Sequence, residues 1–316
     1  MTRYYRGPRI VIDGEWVRSP NGHYHSWTRG EGRQWEDNVF NVLRKIWESK
    51  SGRALLEGIN ATKLKCEIVP IKEEKYEHTS MNQFSDLKSM KKGAQVWVLP
   101  TNEVYIPVPG GMVPPHAKLV TGTGHGSGAR IFFHPGTWTA HSQMIGVDTQ
   151  RLFTDVAQDP SWTPIDQREG LDTALDHFQP DDVLFHELVH VYRAMLGLCE
   201  LVPTGDTWDD TEEFFAIVLA NIYVSEMGRS WSLRGDHQPQ FRSVKEARGS
   251  DTDADFYLSM STTNGALIDQ LCGEMKDFTD ILADPANKIG AWNPLRFRKE
   301  RLAREARATN IEFPTR

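Results

Sequence analysis

The spacing of apolar residues changes part-way along this chain, and that change sets the expected layout. Between 36 and 58, Val39, Leu43, Ile46 and Trp47 recur at helical spacing, and Leu55 and Leu56 follow Gly52. The pattern predicts two short helices broken near Gly52. Runs rich in β-branched and aromatic residues come next: CEIVPI (66–71), QVWVLP (95–100), EVYIPV (103–108) and ARIFFH (129–134). Each is bounded by Pro, Gly or polar residues and predicts a strand. From about 180 the helical period returns. PDDVLFHELVHVYRAMLG (180–197) carries an apolar stripe of Leu184, Leu188, Val191 and Met195, opens on Pro180, Asp181 and Asp182, and closes at Gly197. Those are good first-turn and terminating residues for a helix. Further helices are expected at 209–228, 264–282 and 294–308, the last basic and solvated on its face.

Residues 1–35 are rich in Gly, Arg, Trp and Tyr with little periodicity, and read as an N-terminal arm or irregular strands. Strands thus come first and helices second. That is the α+β pattern and not an alternating βαβ one. No linker separates the halves, so one composite domain is expected: an arm at 1–35, a core at 36–228 and a mainly helical C-terminal extension at 229–316.

Composition narrows the function classes. The 316 residues are 39% hydrophobic and 25% charged, with ten Trp, which excludes disorder as the main state. A net charge of -7 gives no basic footprint for nucleic acid. The three cysteines, Cys66, Cys199 and Cys272, are too few and too scattered for a disulfide framework or a thiolate zinc site. The opening MTRYYRGPRIVIDGEW has no apolar core of the Sec type, and no window is long and apolar enough for a membrane span. The expectation is a protein made in the cytoplasm that leaves the cell, if at all, by a route without a cleaved hydrophobic signal. No feature of the sequence specifies an oligomeric state. The glycine-rich GTGHGSG (122–128) lacks the ending of a phosphate-binding loop and reads as a hairpin or flexible loop.

The chemistry sits in His186-Glu187-Leu188-Val189-His190, an H-E-x-x-H pattern. On a helix, positions i and i+4 share a face one turn apart, so both imidazoles can meet one Zn²⁺. Glu187 is offset by about 100° and can reach a water at the metal without being a ligand. The pattern fixes only three positions, but here it lies in a well-terminated apolar helix, and a buried His pair beside a Glu is costly without a metal or partners. A third ligand is needed. The spacing of metzincins is absent, since Arg193 and Leu196 stand where that pattern continues. A glutamate from the next helix is the other route, and Glu212 and Glu213 are the candidates. Glu213 is preferred, because it shares a stripe with Ala216, Ile217 and Ala220 that would let two helices pack closely. Glu212 would then form a capping box with Asp209, although Asp210 and Glu213 fit the same pattern.

HELVHVYRAMLG followed by TEEFFAI, with GSGARIFFHP upstream, resembles the zinc metallopeptidase domain of bacterial type III effectors and related polymorphic toxins. The resemblance covers roughly residues 36–228. It implies a gluzincin-like site with a Glu as third metal ligand, Zn²⁺ as cofactor, a protein substrate, delivery into another cell, and a zincin-like fold in which an edge strand packs on the HExxH helix. Several gluzincins place an Asp four residues after that Glu to orient a ligand histidine. Here the position is Ile217, so that support must come from elsewhere. In the implied mechanism Glu187 is the general base, and His237, Tyr223 or Tyr192 would stabilise the oxyanion. ARIFFH could be the edge strand that pairs with an extended substrate. The rival readings are a non-catalytic metal-binding or regulatory protein with a vestigial site, and a regulator carrying a peptidase domain. Against the second stand the acidic balance and the lack of a helix-turn-helix.

Overall fold

A computed structural model describes residues 3–14, 16–18, 24–26, 29–70, 94–98, 103–106, 118–122, 124–133, 179–200, 211–230, 253–258 and 264–309, with isolated positions 202, 204, 208, 210 and 233. The strands are β1 (Arg3–Tyr4), β2 (Ile10–Ile12), β3 (Trp16–Arg18), β4 (Tyr24–Ser26), β5 (Cys66–Pro70), β6 (Ala94–Val98), β7 (Glu103–Ile106), β8 (Lys118–Gly122) and β9 (Ala129–Phe133). The helices are α1 (Arg29–Glu48), α2 (Lys50–Ala61), α3 (Pro180–Leu196), α4 (Thr211–Glu226), α5 (Asp253–Leu258), α6 (Asn264–Glu274), α7 (Lys276–Ala283) and α8 (Pro294–Thr309).

The main sheet has the order β1-β2-β5-β9-β6. β2, β5 and β9 run parallel, while β1 and β6 are antiparallel to their neighbours. The fold is therefore mixed α/β and compatible with an α+β class, but three expectations change. First, residues 3–14, expected as an arm or irregular strands, give the main sheet two of its strands. Ile10, Val11 and Ile12 are buried and form an inner strand, and α1 already begins at Arg29. A three-residue strand is too short to show a period, so the pattern could not separate an arm from strands. Second, α1 and α2 form the crossover between parallel β2 and β5, so one βαβ unit opens the fold. Third, ARIFFH is not an edge strand. β9 lies between β5 and β6, and among the described residues β1 and β6 are the two edges of this sheet.

The two predicted N-terminal helices are present, with the break at Ser49 and not at Gly52. The Ser49 side chain accepts from the Gly52 amide at 2.8 Å and starts α2. Gly52 is needed because a Cβ there would meet the Ile46 carbonyl oxygen at 2.0 Å. The third expected helix is split at Met275 into α6 and α7.

One hydrophobic cluster holds the described elements together. It takes Ile10, Ile68 and Ile131 from the sheet, Leu43 and Leu55 from α1 and α2, Phe185 and Leu188 from α3, and Phe214 and Ile217 from α4. Phe256, Ile268, Leu282 and Trp292 of the C-terminal part belong to the same cluster. Trp208, Phe214, Phe256 and Trp292 stack in sequence, which ties α5 and the α8 approach to α4. α3 packs on β6, β9, α1, α2 and α4 and so sits at the centre of the fold. Among the described residues, no helix is long and apolar enough to cross a membrane.

Candidate metal centre

α3 begins and ends where its sequence predicts. The Gln179 amide donates to the Asp182 carboxylate at 3.2 Å, and Pro180 takes the first helical position. Gly197 ends the helix with φ +74°, a left-handed conformation that favours glycine. The glycine-rich loop before β9 closes on this end. The Gly124 amide donates to the Gly197 carbonyl at 3.1 Å, and the Ser127 amide donates to the Ala194 carbonyl at 3.2 Å. A Cβ on Gly126 would meet the Met195 carbonyl oxygen at 1.8 Å. The glycines permit backbone-on-backbone contact, and that contact satisfies carbonyls which a helix end leaves without partners.

α4 runs antiparallel to α3, and charged groups join them at both ends. At the start of α3, the Asp181 carboxylate accepts from the Tyr223 hydroxyl at 2.7 Å and from Lys45 at 2.7 Å, and Arg229 also reaches it. Towards the other end, Arg193 and Glu212 pair at 2.7 Å. Between them Ala216, Ile217 and Ala220 are buried, and the two helices pack on each other along their length.

His186, His190 and Glu213 come together on this interface. The two Nε2 atoms are 3.0 Å apart. The Glu213 carboxylate lies 3.3 Å from His186 Nε2 and 3.6 Å from His190 Nε2. A tetrahedral ion with bonds of roughly 2.0–2.1 Å needs ligand atoms about 3.3 Å apart. The separations, measured to the two different Glu213 oxygens, lie close to that value, and the donor set, two imidazoles and a carboxylate, suits a divalent cation. These residues could hold a metal ion. His186 is buried, His190 nearly so, and the Glu213 side chain keeps 25% of its surface exposed. The group therefore opens to solvent on one side. From Pro180 to Val191 only Glu187 is less than buried, next to His186 in the chain.

The electrostatics favour a cation. Burial opposes protonation of His190, but Glu213 and Glu212 outweigh it and hold the ring well above its usual range. Burial alone would raise the Glu212 carboxyl. Arg193 and His190 overcome this and hold it below the ordinary carboxylate range, so Glu212 stays ionised.

Glu212 does not take the capping role expected of it. Asp210 starts α4 instead, accepting from the Glu213 amide at 2.9 Å. One Glu212 oxygen faces His190 Nδ1 at 3.2 Å, and the other accepts from Arg193 Nε at 2.7 Å and from the Glu200 amide at 3.2 Å. The support that Ile217 cannot give His190 thus comes from the residue before the third ligand candidate. The signal was available in the sequence: Arg193 is the one basic residue of an otherwise largely apolar helix, about one turn past His190, and such a charge needs a buried partner.

The oxyanion candidates fare differently. Tyr223 lies ten residues beyond Glu213, about 15 Å along the helix, and its hydroxyl is committed to Asp181. Its ring stacks on Phe185 at 4.5 Å, so the structure does not bring it together with His186, His190 and Glu213. Tyr192 packs on Phe278 and against Gly58, away from the group. His237, Asp209 and His134 lie outside the described residues. His125 is exposed on the glycine-rich loop.

No family model, curated protein or solved structure matches this chain.

Proposed function

We propose that the protein is a zinc-dependent metallopeptidase that hydrolyses peptide bonds in a target protein. The observation that carries this reading is the convergence of His186, His190 and Glu213 within reach of one ion, with half-buried Glu187 beside them on the same helix. His186, His190 and Glu213 would hold the ion. When bound, zinc polarises a carbonyl and acidifies water to a pKa of about 7. Glu187 takes the proton of the attacking water and later delivers it to the leaving nitrogen.

β6, an edge of the main sheet among the described residues, packs beside α3 and is the strand to which the role first given to ARIFFH would pass. An extended substrate segment added along its outer side would run past the HExxH helix. The similarity of HELVHVYRAMLG and TEEFFAI to effector and toxin peptidases extends the proposal to a secreted protein that acts inside another cell.

The test is Glu187→Gln. Zinc content should match wild type while cleavage of protein substrates falls by 10²-fold or more, the range for a lost general base. Comparing newly formed protein N-termini in a target-cell lysate, wild type against Glu187→Gln, reads out both the activity and its substrates. Equal cleavage by the two proteins overturns the mechanism. Stoichiometric zinc in a protein that cleaves nothing would favour the vestigial-site reading.

A further inference from the structure

Arg193 is the largest fully buried side chain among the described residues, and it is charged. Its Nε donates to Glu212 at 2.7 Å, Nη1 to Glu274 of α6 at 2.9 Å, and Nη2 to the Leu198 carbonyl at 2.7 Å. The guanidinium lies 4.4 Å over the Phe215 ring. An apolar side chain would fill this space at lower desolvation cost, so the packing alone gives no reason for an arginine.

The reason lies one turn back along α3. For His190 to offer Nε2 to a metal, its ring proton must sit on Nδ1. Glu212 stands 3.2 Å from Nδ1, placed to accept that proton's hydrogen bond, and Nε2 is turned towards Glu213 and His186 Nε2. Glu212 is itself held in place: Arg193 and the Glu200 amide both grip its other oxygen. Glu274 pairs with Arg193 and also accepts from Gln270, which in turn donates to Glu200. The polar chain runs from His190 through Glu212 and Arg193 to α6.

We propose that Glu212 and Arg193 are positioning residues for the metal centre. Glu212 fixes the tautomer and plane of His190, and Arg193 locks Glu212 so that the ring is pre-set before a metal arrives. Through Glu274, α6 of the C-terminal part becomes a support of the same centre. The inference rests on the metal-binding reading of His186, His190 and Glu213. It does not depend on which bond, if any, the protein cleaves.

The test measures zinc affinity of the full-length metal-free protein by competition with a chromophoric chelator, and the visible absorption of the Co²⁺-substituted protein. Wild type is compared first with His186→Ala, which should bind far more weakly. If the two bind alike, the metal reading itself fails and this inference falls with it. Glu212→Gln keeps the shape but removes the charge that holds the Nδ1 proton. Arg193→Lys keeps a charge but loses the fork. Each should weaken zinc by about 10–100-fold, the usual effect of removing a partner that orients a ligand histidine, and should alter the Co²⁺ band. Glu226→Gln is the control for general destabilisation. That α4 carboxylate accepts from the Lys50 and Ser51 amides at 2.7 and 3.0 Å, far from the group. It should lower the melting temperature with zinc affinity and Co²⁺ band unchanged. If a folded Glu212→Gln or Arg193→Lys binds zinc within about twofold of wild type, or if Glu226→Gln weakens zinc as much as they do, the proposal is overturned.

Discussion

His186 and His190 present their Nε2 atoms to each other at 3.0 Å, with the Glu213 carboxylate facing both. A divalent cation between them would bind all three groups. Adding zinc to metal-free protein should therefore raise the melting temperature, with a stabilisation of about 2.7 kcal/mol at a free concentration one hundred times Kd. His186→Ala and Glu213→Ala should each abolish that rise. Differential scanning fluorimetry across a zinc titration measures it. A Glu213→Ala protein that retains the full rise would return the third-ligand role to another residue.

Tyr223 donates its hydroxyl to Asp181 at the opposite end of the α3–α4 interface from Glu213. Tyr223→Phe should cost about 1.5–3 kcal/mol, the worth of a hydrogen bond to a charged group, in urea unfolding. Peptide cleavage under conditions where the variant is fully folded should be unchanged. A loss of kcat without a loss of stability would restore Tyr223 to the site.

The Asp181 cluster predicts acid sensitivity. Burial would raise the Asp181 carboxyl, but Arg229, Lys45 and the Tyr223 hydroxyl outweigh it and hold its pKa below the usual value. Asp182 shares Arg229 at 2.7 Å. The unfolded chain then takes up the Asp181 proton first, near pH 3.9. This contribution to stability is complete above that pH and drains away as pH falls towards the lower folded-state value. Urea midpoints measured from pH 6 downwards should fall, and Asp181→Asn should flatten the acid limb. An unchanged slope in that variant would show that other carboxylates control it.

The clasp between the glycine-rich loop and α3 predicts a third sensitivity. Gly126→Ala would drive a methyl group into the Met195 carbonyl, and overpacking of this kind costs about 1–3 kcal/mol. Gly197→Ala would add left-handed backbone strain of about 1–2 kcal/mol to a clash with Gly124 at 2.5 Å. Both should lower the melting temperature, whereas Gly124→Ala, whose Cβ has open space, should pay only for its φ of +74°. Equal stability of Gly126→Ala and wild type would show that the loop does not bear on the helix.

What the sequence determined by itself was local. The period of Leu184, Leu188 and Val191, the residues at its ends, and the i, i+4 spacing of His186 and His190 are properties of one helix, and α3 runs from Pro180 to Leu196. The strand at 129–133 was legible for the same reason. What only the tertiary structure decided is which groups meet across elements. A pattern along one strand does not say which neighbours flank it, so β9 proved internal and β6 took one edge. Two adjacent glutamates look alike in sequence. The antiparallel packing of α4 on α3 turns Glu213 towards both Nε2 atoms and Glu212 towards Nδ1 and Arg193. The same packing places Tyr223 at the far end, bonded to Asp181. Neighbouring helix positions differ by about 100° in direction, and only the position of the partner helix gives those directions their chemistry.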